Sequence, residues 1–393
     1  QKSTSACFLP DTYVRKFDGE QVKIQDLKVL DKVLTAEGNE GVITSVMCRQ
    51  YNGNIFNLKF KGHHGIKCTP EHPFLTQRGY VEAKNLLRGE DYVCITKSPF
   101  QSIFEIDTTN IMKNYTGKGK KNGTINHANR HGKKVISTIT DVPVTLNANY
   151  NLGRILGLYA AEGYIGECRV MWTFNMKEEH TLVKELCAIL KEELNITARI
   201  QYRVSNNVID VVVWGKHWGY LFGTLISGTS KRGDKKLSRY ITNLNEDFAK
   251  GLLYGWLDGD GYRRDTSYIG VSVCHQLSLD MHNIATSLNI TSSINESLPS
   301  INKHAKTRQN RWIVTLQEGN GQNHPKKDDD CIWRKYMSCS IESYEGYVFN
   351  LHVEGDNSYV AENIGVHNCV AYSISHELAS TPVEVLGLTD DYI

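Results

Sequence analysis

Val366-His367-Asn368-Cys369, near the end of the 393-residue chain, sets a carboxamide between an imidazole and a thiol. Asn can attack its own backbone carbonyl through its side-chain nitrogen, closing an imide ring and breaking the peptide bond behind it. The adjacent His can supply the proton that the leaving amine or the carbonyl needs, and Cys is the most capable uncatalysed nucleophile among side chains. A tetrapeptide of this kind has meaning only if matching parts lie elsewhere. Working outward, a second thiol opens Cys7-Phe-Leu-Pro-Asp-Thr12-Tyr-Val, where the ordinary reading is a buried small apolar residue. A third part is Gly65-Ile-Lys-Cys-Thr69-Pro-Glu-His72-Pro-Phe. Thr69 and His72, three apart on a turn whose backbone Pro70 and Pro73 restrict, can aim a hydroxyl and an imidazole at one point. The plainer alternative is a hydrogen-bonded turn.

These parts sit in β-rich surroundings. Residues 7–97 read as short strands at Gln21–Ile24, Val42–Met47, Ile55–Phe60 and Tyr80–Glu82 without a helix of convincing period. Asn52-Gly53 between two β-prone runs predicts a hairpin turn. After residue 337 the β pattern returns, with Tyr347–Val353 and Ser358–Ala361 bracketing a turn at Glu354-Gly-Asp-Asn357.

Between these β segments the chain changes character twice. Met112–Val135 carries Lys113, Lys118, Lys120, Lys121, Arg130, Lys133 and Lys134 without an acid; such a flexible basic stretch is most often merely solvated, so 98–150 is expected to be a basic linker, or a DNA-contacting region if a nuclease lies beside it. From about 151 the pattern is α+β. Ile155-Leu-Gly-Leu-Tyr-Ala-Ala-Glu162-Gly163 and Leu253-Tyr-Gly-Trp-Leu-Asp-Gly-Asp260-Gly261 share one plan. Small residues one turn apart (Gly157 and Ala161, Gly255 and Gly259) let two helix backbones approach closely. Gly163 and Gly261 suit a left-handed residue ending each helix. Two acids delivered at helix C-termini, against the helix dipole, point to divalent metal binding for phosphodiester chemistry. The plainer alternative is a pair of buried Gly-containing helices with solvent-facing acids. Helix-like Glu178–Leu194 and strand-like Ile200–Val204, Val208–Val213, Ser267–Val273 and Arg311–Leu316 follow.

Composition bounds the answer more loosely. The length predicts two or three domains, and 40% hydrophobic with 22% charged residues describes a globular protein. A net charge of +2 makes any nucleic-acid surface a local patch. Ten cysteines without a Cys-x-x-Cys pair argue against structural zinc and dense disulfides, and lead to the expectation of a reducing, cytoplasmic setting. No apolar run approaches a membrane span. Gln1, with no signal-peptide pattern after it, suggests an excised or processed fragment.

Taken together, Cys7 with Thr12, Thr69-x-x-His72, Tyr347-Val-Phe-Asn-Leu-His-Val-Glu, Tyr359-Val-Ala-Glu-Asn and Val366-His-Asn-Cys resemble the four splicing blocks of an intein, in order and across nearly the whole chain. The two helical segments resemble the paired LAGLIDADG motifs of homing endonucleases, over roughly 150–335. The fold implied is multidomain: an all-β, horseshoe-like Hint splicing domain (7–97 plus 338–368) interrupted by an α+β endonuclease domain (151–337) of two pseudo-symmetric αββαββα halves. Residues 1–6 and 369–393 would be the flanks, or exteins.

The resemblance implies protein splicing without a cofactor. Cys7 attacks the Ala6 carbonyl with Thr69 and His72 at the scissile amide, Cys369 takes over the acyl group, Asn368 cyclises with His367 assisting, and an S–N shift joins the flanks. It also implies double-strand DNA cleavage at the host-gene insertion site by Glu162 and Asp260, holding Mg²⁺ or another divalent cation, in a monomer that does not enter membranes. A metal-proximal lysine is expected, with Lys303 and Lys306 as candidates. Arg203, Lys216, Arg308 and Arg311 are candidates for DNA contact. An endonuclease domain that binds DNA without cutting it, or a hedgehog-type domain that cleaves without ligation, are the alternatives; the Asn-Cys pair separates this chain from the latter. Two departures stand out. The intein family often has Asp where this chain has Asn350 and His where it has Asn357, and His352, two residues from Asn350 on a strand, is the candidate substitute. The joined flanks, Gln1-Lys-Ser-Thr4-Ser-Ala-Cys369-Val370-Ala-Tyr-Ser, resemble the active-site segment of papain-like cysteine peptidases, with Gln1 at the oxyanion position and Cys369 as nucleophile. Thr4 and Val370 replace that family's usual Cys and Trp.

Overall fold

The computed structural model describes residues 6–115, 119–121, 124–131, 134–229, 231–298, 310–317, 327–328, 330–368 and 384–386; at 114, 119–141 and 384–386 the backbone alone is described. The chain divides into two compact units, one of residues 1–99, 285–296 and 316–393, the other of 100–284 and 297–315.

The first unit is built on two long antiparallel strands, Glu40–Phe60 and Cys331–Val353, paired from Phe60↔Tyr336 to Ile43↔Val353. Asn52-Gly53 is therefore not a hairpin turn. Both residues lie inside the first long strand, opposite Glu345 and Tyr344, because a partner far along the chain satisfies the backbone over its whole length. A glycine in a strand is weak unless something covers it. Here Tyr51 covers Gly53 and Tyr344 covers Gly346: a Cβ would lie 2.9 Å and 2.7 Å from the respective hydroxyl oxygens. Each hydroxyl donates to a backbone carbonyl three residues on, Tyr51 to Asn54 at 2.8 Å and Tyr344 to Tyr347 at 2.9 Å. The shorter strands Gln21–Lys23, Tyr13–Arg15, Ser358–Ala361, Ile364–His367, Pro73–Thr76 and Tyr92–Thr96 continue the same sheet. Their inward faces bury Phe8, Val33, Leu58, Phe74, Tyr359 and Val366 in one core, each burial worth roughly 1.5–3 kcal/mol. Backbone of Glu384–Leu386 pairs with the free side of the first long strand at Val46–Cys48. Among the described residues one cystine, Cys94–Cys331, joins neighbouring strands, and the other described cysteines are free thiols.

The second unit begins with a strand pair, Glu105–Asp107 and Thr145–Asn147. Between them Gly119–Lys121, Thr124–His131 and Lys134–Pro143 form a three-stranded antiparallel sheet. The segment expected as a basic linker or DNA-contacting region thus carries these strands. Val135, Ile136, Thr138, Ile139 and Thr140 are β-branched, and that stiffness favours the extended chain over the coil implied by its charge.

Helix Tyr150–Glu162 follows, then strands Gly163–Gly166 and Arg169–Asn175, a helical run ending in Lys184–Leu194, strands Arg199–Arg203 and Val208–Trp214, and helix Lys216–Leu225. These four strands form one sheet. The order of elements recurs along the chain from helix Glu246–Asp260, through paired strands Gly261–Arg264 and Ser267–Ser272, to helix His275–Ser287 and strands Thr291–Ser297 and Arg311–Gln317, residues 285–296 and 316–317 of this run counting with the first unit. Asn149 and Asn245 cap the two motif helices, their side-chain oxygens accepting from Leu152 N and Phe248 N at 2.9 Å. Gly163 and Gly261 are not left-handed: they are extended, with φ −79° and −123°, and open the following strands. Glycine is needed there for space, since a Cβ on Gly163 would strike the Tyr159 ring and one on Gly261 the Leu257 carbonyl.

Candidate functional site

In the first unit the turn Thr69-Pro70-Glu71-His72 is closed by His72 N donating to Thr69 O at 3.1 Å, with Pro70 at the position a β-turn favours. This turn grips Cys7. The Cys7 amide donates to Thr69 Oγ1 at 2.8 Å, and Thr69 N donates to Cys7 O at 2.9 Å. Phe8 then pairs with Phe349 through both backbone bonds, 2.7 and 2.8 Å, which brings the preceding peptide against Asn350. Ala6 and Cys7 are buried.

The histidine of the turn behaves differently from the expectation that it touches the scissile amide. His72 is fully buried, its ring lies tilted against Phe8 with 3.9 Å between centroids, and neither ring nitrogen has a hydrogen-bond partner among the described residues. Burial, helped by His367 nearby, pushes its pKa down to about 3. It is a neutral imidazole at physiological pH.

At the other end His367 Nδ1 lies 2.8 Å from the backbone oxygen of Asn368. A carbonyl only accepts, so Nδ1 carries the proton in this contact. The His367 ring is held edge-on by Tyr80 at 4.6 Å. The Asn368 amide N donates to Asn357 O at 2.7 Å. Its side-chain nitrogen donates to Val353 O at 2.8 Å, with Asn357 Oδ1 at 3.4 Å. Asn368 Oδ1 is buried and has no hydrogen-bond partner among the described residues. Asn357, in the left-handed region at φ 57°, thus serves the junction through both its carbonyl and its side chain. The two departures part company: Asn350 contacts the Ala6 end, its Nδ2 donating to Ala6 O at 2.6 Å. His352 is no substitute, since its Nδ1 is taken up by Thr44 Oγ1 at 2.7 Å on the exposed side of the strand. Cys369, Gln1, Thr4 and Val370 lie outside the described residues.

In the second unit the two motif helices meet backbone to backbone. A Cβ on Gly255 would lie 2.6 Å from Arg154 O and 3.0 Å from Gly157 Cα; one on Gly259 would meet Glu162 Cγ at 3.4 Å. Glu162 and Asp260 are therefore neighbours at one end of the pair. Burial foremost, then the Asp260 charge, raises the Glu162 carboxyl to about 7; burial raises Asp260 to about 6. Two half-buried acids side by side, both pushed up by burial that outweighs the opposing charge near them, fit a divalent cation held between their oxygens.

One lysine partly compensates them, and it is not a residue the sequence singled out. Lys235 is buried, and its Nζ donates to Tyr159 O, Ala160 O and Gly163 O at 3.0, 2.8 and 3.2 Å, at the C-terminal end of the first motif helix. Burial lowers it to about 8, while Asp260 and Glu162 oppose that shift. Nothing in Lys231-Arg-Gly-Asp-Lys235-Lys236 distinguishes it from a solvated charge run. Lys303, Lys306 and Arg308 lie outside the described residues. Among the other DNA-contact candidates, Arg203 is committed to Asp210 through two bonds of 2.6 and 2.7 Å, whereas Lys216 and Arg311 are exposed. Exposed Tyr164, Tyr202, Trp214 and Tyr262 stand on the strands beside Arg169, Arg263 and Arg264; Arg169 lies over the Trp214 ring at 5.6 Å.

A family model described as the intein splicing domain matches residues 13–368. The ATP-dependent DNA helicase Hel308 of Thermococcus kodakarensis is 24% identical over 414 aligned residues, which take in 94% of this chain and 36% of that protein, so the chain spans about a third of that relative's length. Among solved structures, the Ssp DnaB mini-intein variant M86 is 10% identical, with a TM-score of 0.31, over 93% of this chain and 95% of its own. The homing endonuclease I-DmoI in complex with DNA and Mn is 13% identical, also with a TM-score of 0.31, over 44% of this chain and 91% of its own.

Proposed function

Because the chain belongs to the intein splicing domain family, we propose that it excises itself from its flanks, and that its second unit cuts double-stranded DNA at the site where its own gene is inserted. Splicing begins with Cys7 Sγ attacking the Ala6 carbonyl carbon. The amide C–N bond breaks, the thiol proton ends on the Cys7 nitrogen, and a thioester replaces the amide. Thr69 Oγ1 accepts the hydrogen of that nitrogen and offers a hydroxyl through which a proton can return to it. Buried and neutral His72 walls the site against Phe8. Cys369 then exchanges with the thioester, an event that relies on proximity because a thiol of ordinary pKa is only a few per cent thiolate at neutral pH. Asn368 Nδ2 attacks its own carbonyl carbon while His367 Nδ1–H stabilises the oxygen. The Cys369 amine leaves, and the freed thioester shifts to a peptide bond.

What supports this reading is that both scissile peptides are gripped within one unit, Ala6–Cys7 by Thr69 and Asn368 by His367 and Asn357. The mass spectrum of the expressed chain tests it: residues 7–368 and the joined flanks 1–6 with 369–393 should be separate species. An unchanged full-length mass with all residues intact would overturn it.

For the second unit, Glu162 and Asp260 would hold the divalent cation, which when bound lowers the pKa of a water and stabilises charge on a phosphate. Lys235 holds a cation beside them, and the exposed basic and aromatic side chains of the strands offer contacts to phosphates and bases. Supercoiled DNA carrying the uninterrupted host gene, incubated with Mg²⁺, should be linearised by the native chain and not by Asp260→Asn. If the joined flanks belong to a cysteine peptidase, Cys369 serves first in splicing and then as that enzyme's nucleophile.

A further inference from the structure

We propose that Asn350 is a catalytic residue of the first splicing step, the donor that holds the oxyanion formed on Ala6. The inference rests on the splicing reading above. Its ground is the orientation of one carboxamide, which obligate partners leave no freedom to flip. Leu351 N, which can only donate, points at one atom of the Asn350 amide at 2.8 Å, and Tyr359 Oη meets that same atom at 2.7 Å. That atom is therefore the oxygen. The other atom, 2.6 Å from Ala6 O, faces a carbonyl that can only accept, and is therefore the NH₂. Asn350, Tyr359 and Ala6 are all buried, so the contact acts where solvent does not weaken it.

The consequence concerns charge development. When Cys7 Sγ bonds to the Ala6 carbon, the carbonyl π pair moves onto Ala6 O. A fixed N–H already aimed at that oxygen strengthens as the charge grows, without reorganisation. Collapse returns the pair, breaks the C–N bond and leaves the nitrogen with the proton that the thiol lost. An aspartate would reverse the sign of this contact. Leu351 N and Tyr359 Oη would still occupy one oxygen, and the other, ionised, would face the Ala6 oxygen with like charge; only the protonated acid could donate. No hydrogen bond links the Asn350 side chain to Asn368 among the described residues, so the effect is confined to the N-terminal junction.

The test separates the two junctions. In an Asn368→Ala background, cleavage by dithiothreitol reads thioester formation at Ala6–Cys7; in a Cys7→Ala background, spontaneous C-terminal cleavage reads Asn368 cyclisation. Asn350→Ala should slow the first by about 10²-fold, as loss of an oxyanion donor does, and leave the second within about twofold, which also reports that the variant is folded. Asn350→Asp should give a first-step rate, relative to the parent at each pH, that falls as pH rises and the carboxyl ionises. Equal loss at both junctions with unchanged circular dichroism, or an Asn350→Ala rate equal to the parent, overturns the inference. An Asp variant whose relative rate is flat with pH does so as well. If the parent with Asn350 intact forms no thioester, the splicing reading itself fails, an outcome distinct from these.

Discussion

Gly255→Ala sets two known magnitudes against each other. Alanine in place of glycine inside a helix stabilises it by about 1 kcal/mol, and Gly255 lies in the interior of helix Glu246–Asp260. On propensity alone the variant is a gain. The packing reverses the sign. The added Cβ would sit 2.6 Å from Arg154 O where ordinary contact begins at 3.4 Å, and 3.0 Å from both Gly157 Cα and Leu158 N. All three are backbone atoms and cannot turn aside, so the motif helices must part by roughly 0.8 Å, the difference between those distances. A gap of that size forfeits a quarter to a half of each dispersion contact of about 0.1–0.2 kcal/mol, and an interface with on the order of a hundred atom pairs then loses several kcal/mol. The net expectation is destabilisation by about 2–4 kcal/mol. Gly219→Ala is the control: its Cβ would meet only Ile165 Cγ2, at 3.3 Å, a side chain that can give. Urea unfolding followed by DNA cleavage at each variant's folded concentration measures both, with splicing read in the same samples. A Gly255→Ala chain as stable as its Gly219→Ala counterpart, and equally active on DNA, would refute the close approach of the two helices.

Cys7→Ala should abolish ligated product yet permit cleavage after Asn368, whereas Asn368→Ala should permit thiol-induced cleavage before Cys7 and no ligation; ligated flanks from Asn368→Ala, seen by mass spectrometry, would sink the assignment. Glu162 and Asp260 are raised from ordinary values of 4.5 and 3.8 to about 7 and about 6, so the stability they contribute is complete below about pH 4 and is lost as pH rises through 6 to 7. Mg²⁺ should therefore raise the second unit's unfolding temperature by several degrees at pH 8 and hardly at all at pH 5; an equal rise at both, or at pH 8 in Glu162→Gln/Asp260→Asn, counts against a carboxylate metal site. His72 carries the opposite sign. It is pushed by burial from 6.5 to about 3, so the unfolded chain binds its proton first, and stability present above pH 6.5 is lost on acidification towards pH 3. Fluorescence-monitored unfolding should show the first unit weakening by several kcal/mol between pH 7 and 4, and His72→Phe should blunt that slope if the ring is as buried as it stands.

What could be read in the sequence was local, and what could not was long-range. The motif helices announce themselves through small residues one turn apart, and the acids at their ends follow from helical spacing alone. Thr69 and His72 share a turn because two prolines confine it. The strand Glu40–Phe60, by contrast, reads as two strands with a turn between them. Asn52-Gly53 has a real turn propensity, and the residues that override it begin nearly three hundred positions later. Lys235 has no local signature, since what sets it apart is burial against three carbonyls of another helix. The same holds for the glycines after the acids: their extended φ is decided by the strands they open, while the space they leave is decided by Tyr159 and Leu257. In each case the missing information is a neighbour distant in the chain.

The two asparagines that depart from the usual splicing pattern are informative for the same reason. From the strand pattern they are one problem, two neutral side chains where an acid and a base are usual. In space they are two solutions at separate junctions. Asn350 uses its carboxamide as a donor, to Ala6 O; Asn357 uses its own as an acceptor, towards the nucleophilic nitrogen of Asn368. A carboxamide is a side chain that can do either without changing charge, and at Asn350 the orientation is set by Leu351 N, Tyr359 Oη and Ala6 O. At the Ala6–Cys7 junction this leaves a neutral amide on the oxygen, a hydroxyl on the nitrogen and an imidazole neutral down to about pH 3. None of these three groups changes protonation between pH 6 and 8, so the first step should follow the ionisation of the Cys7 thiol, rising tenfold per pH unit until the thiolate predominates. A plateau or a fall between pH 6 and 8 would mean that His72 takes up a proton during the step, and that burial alone does not describe its role.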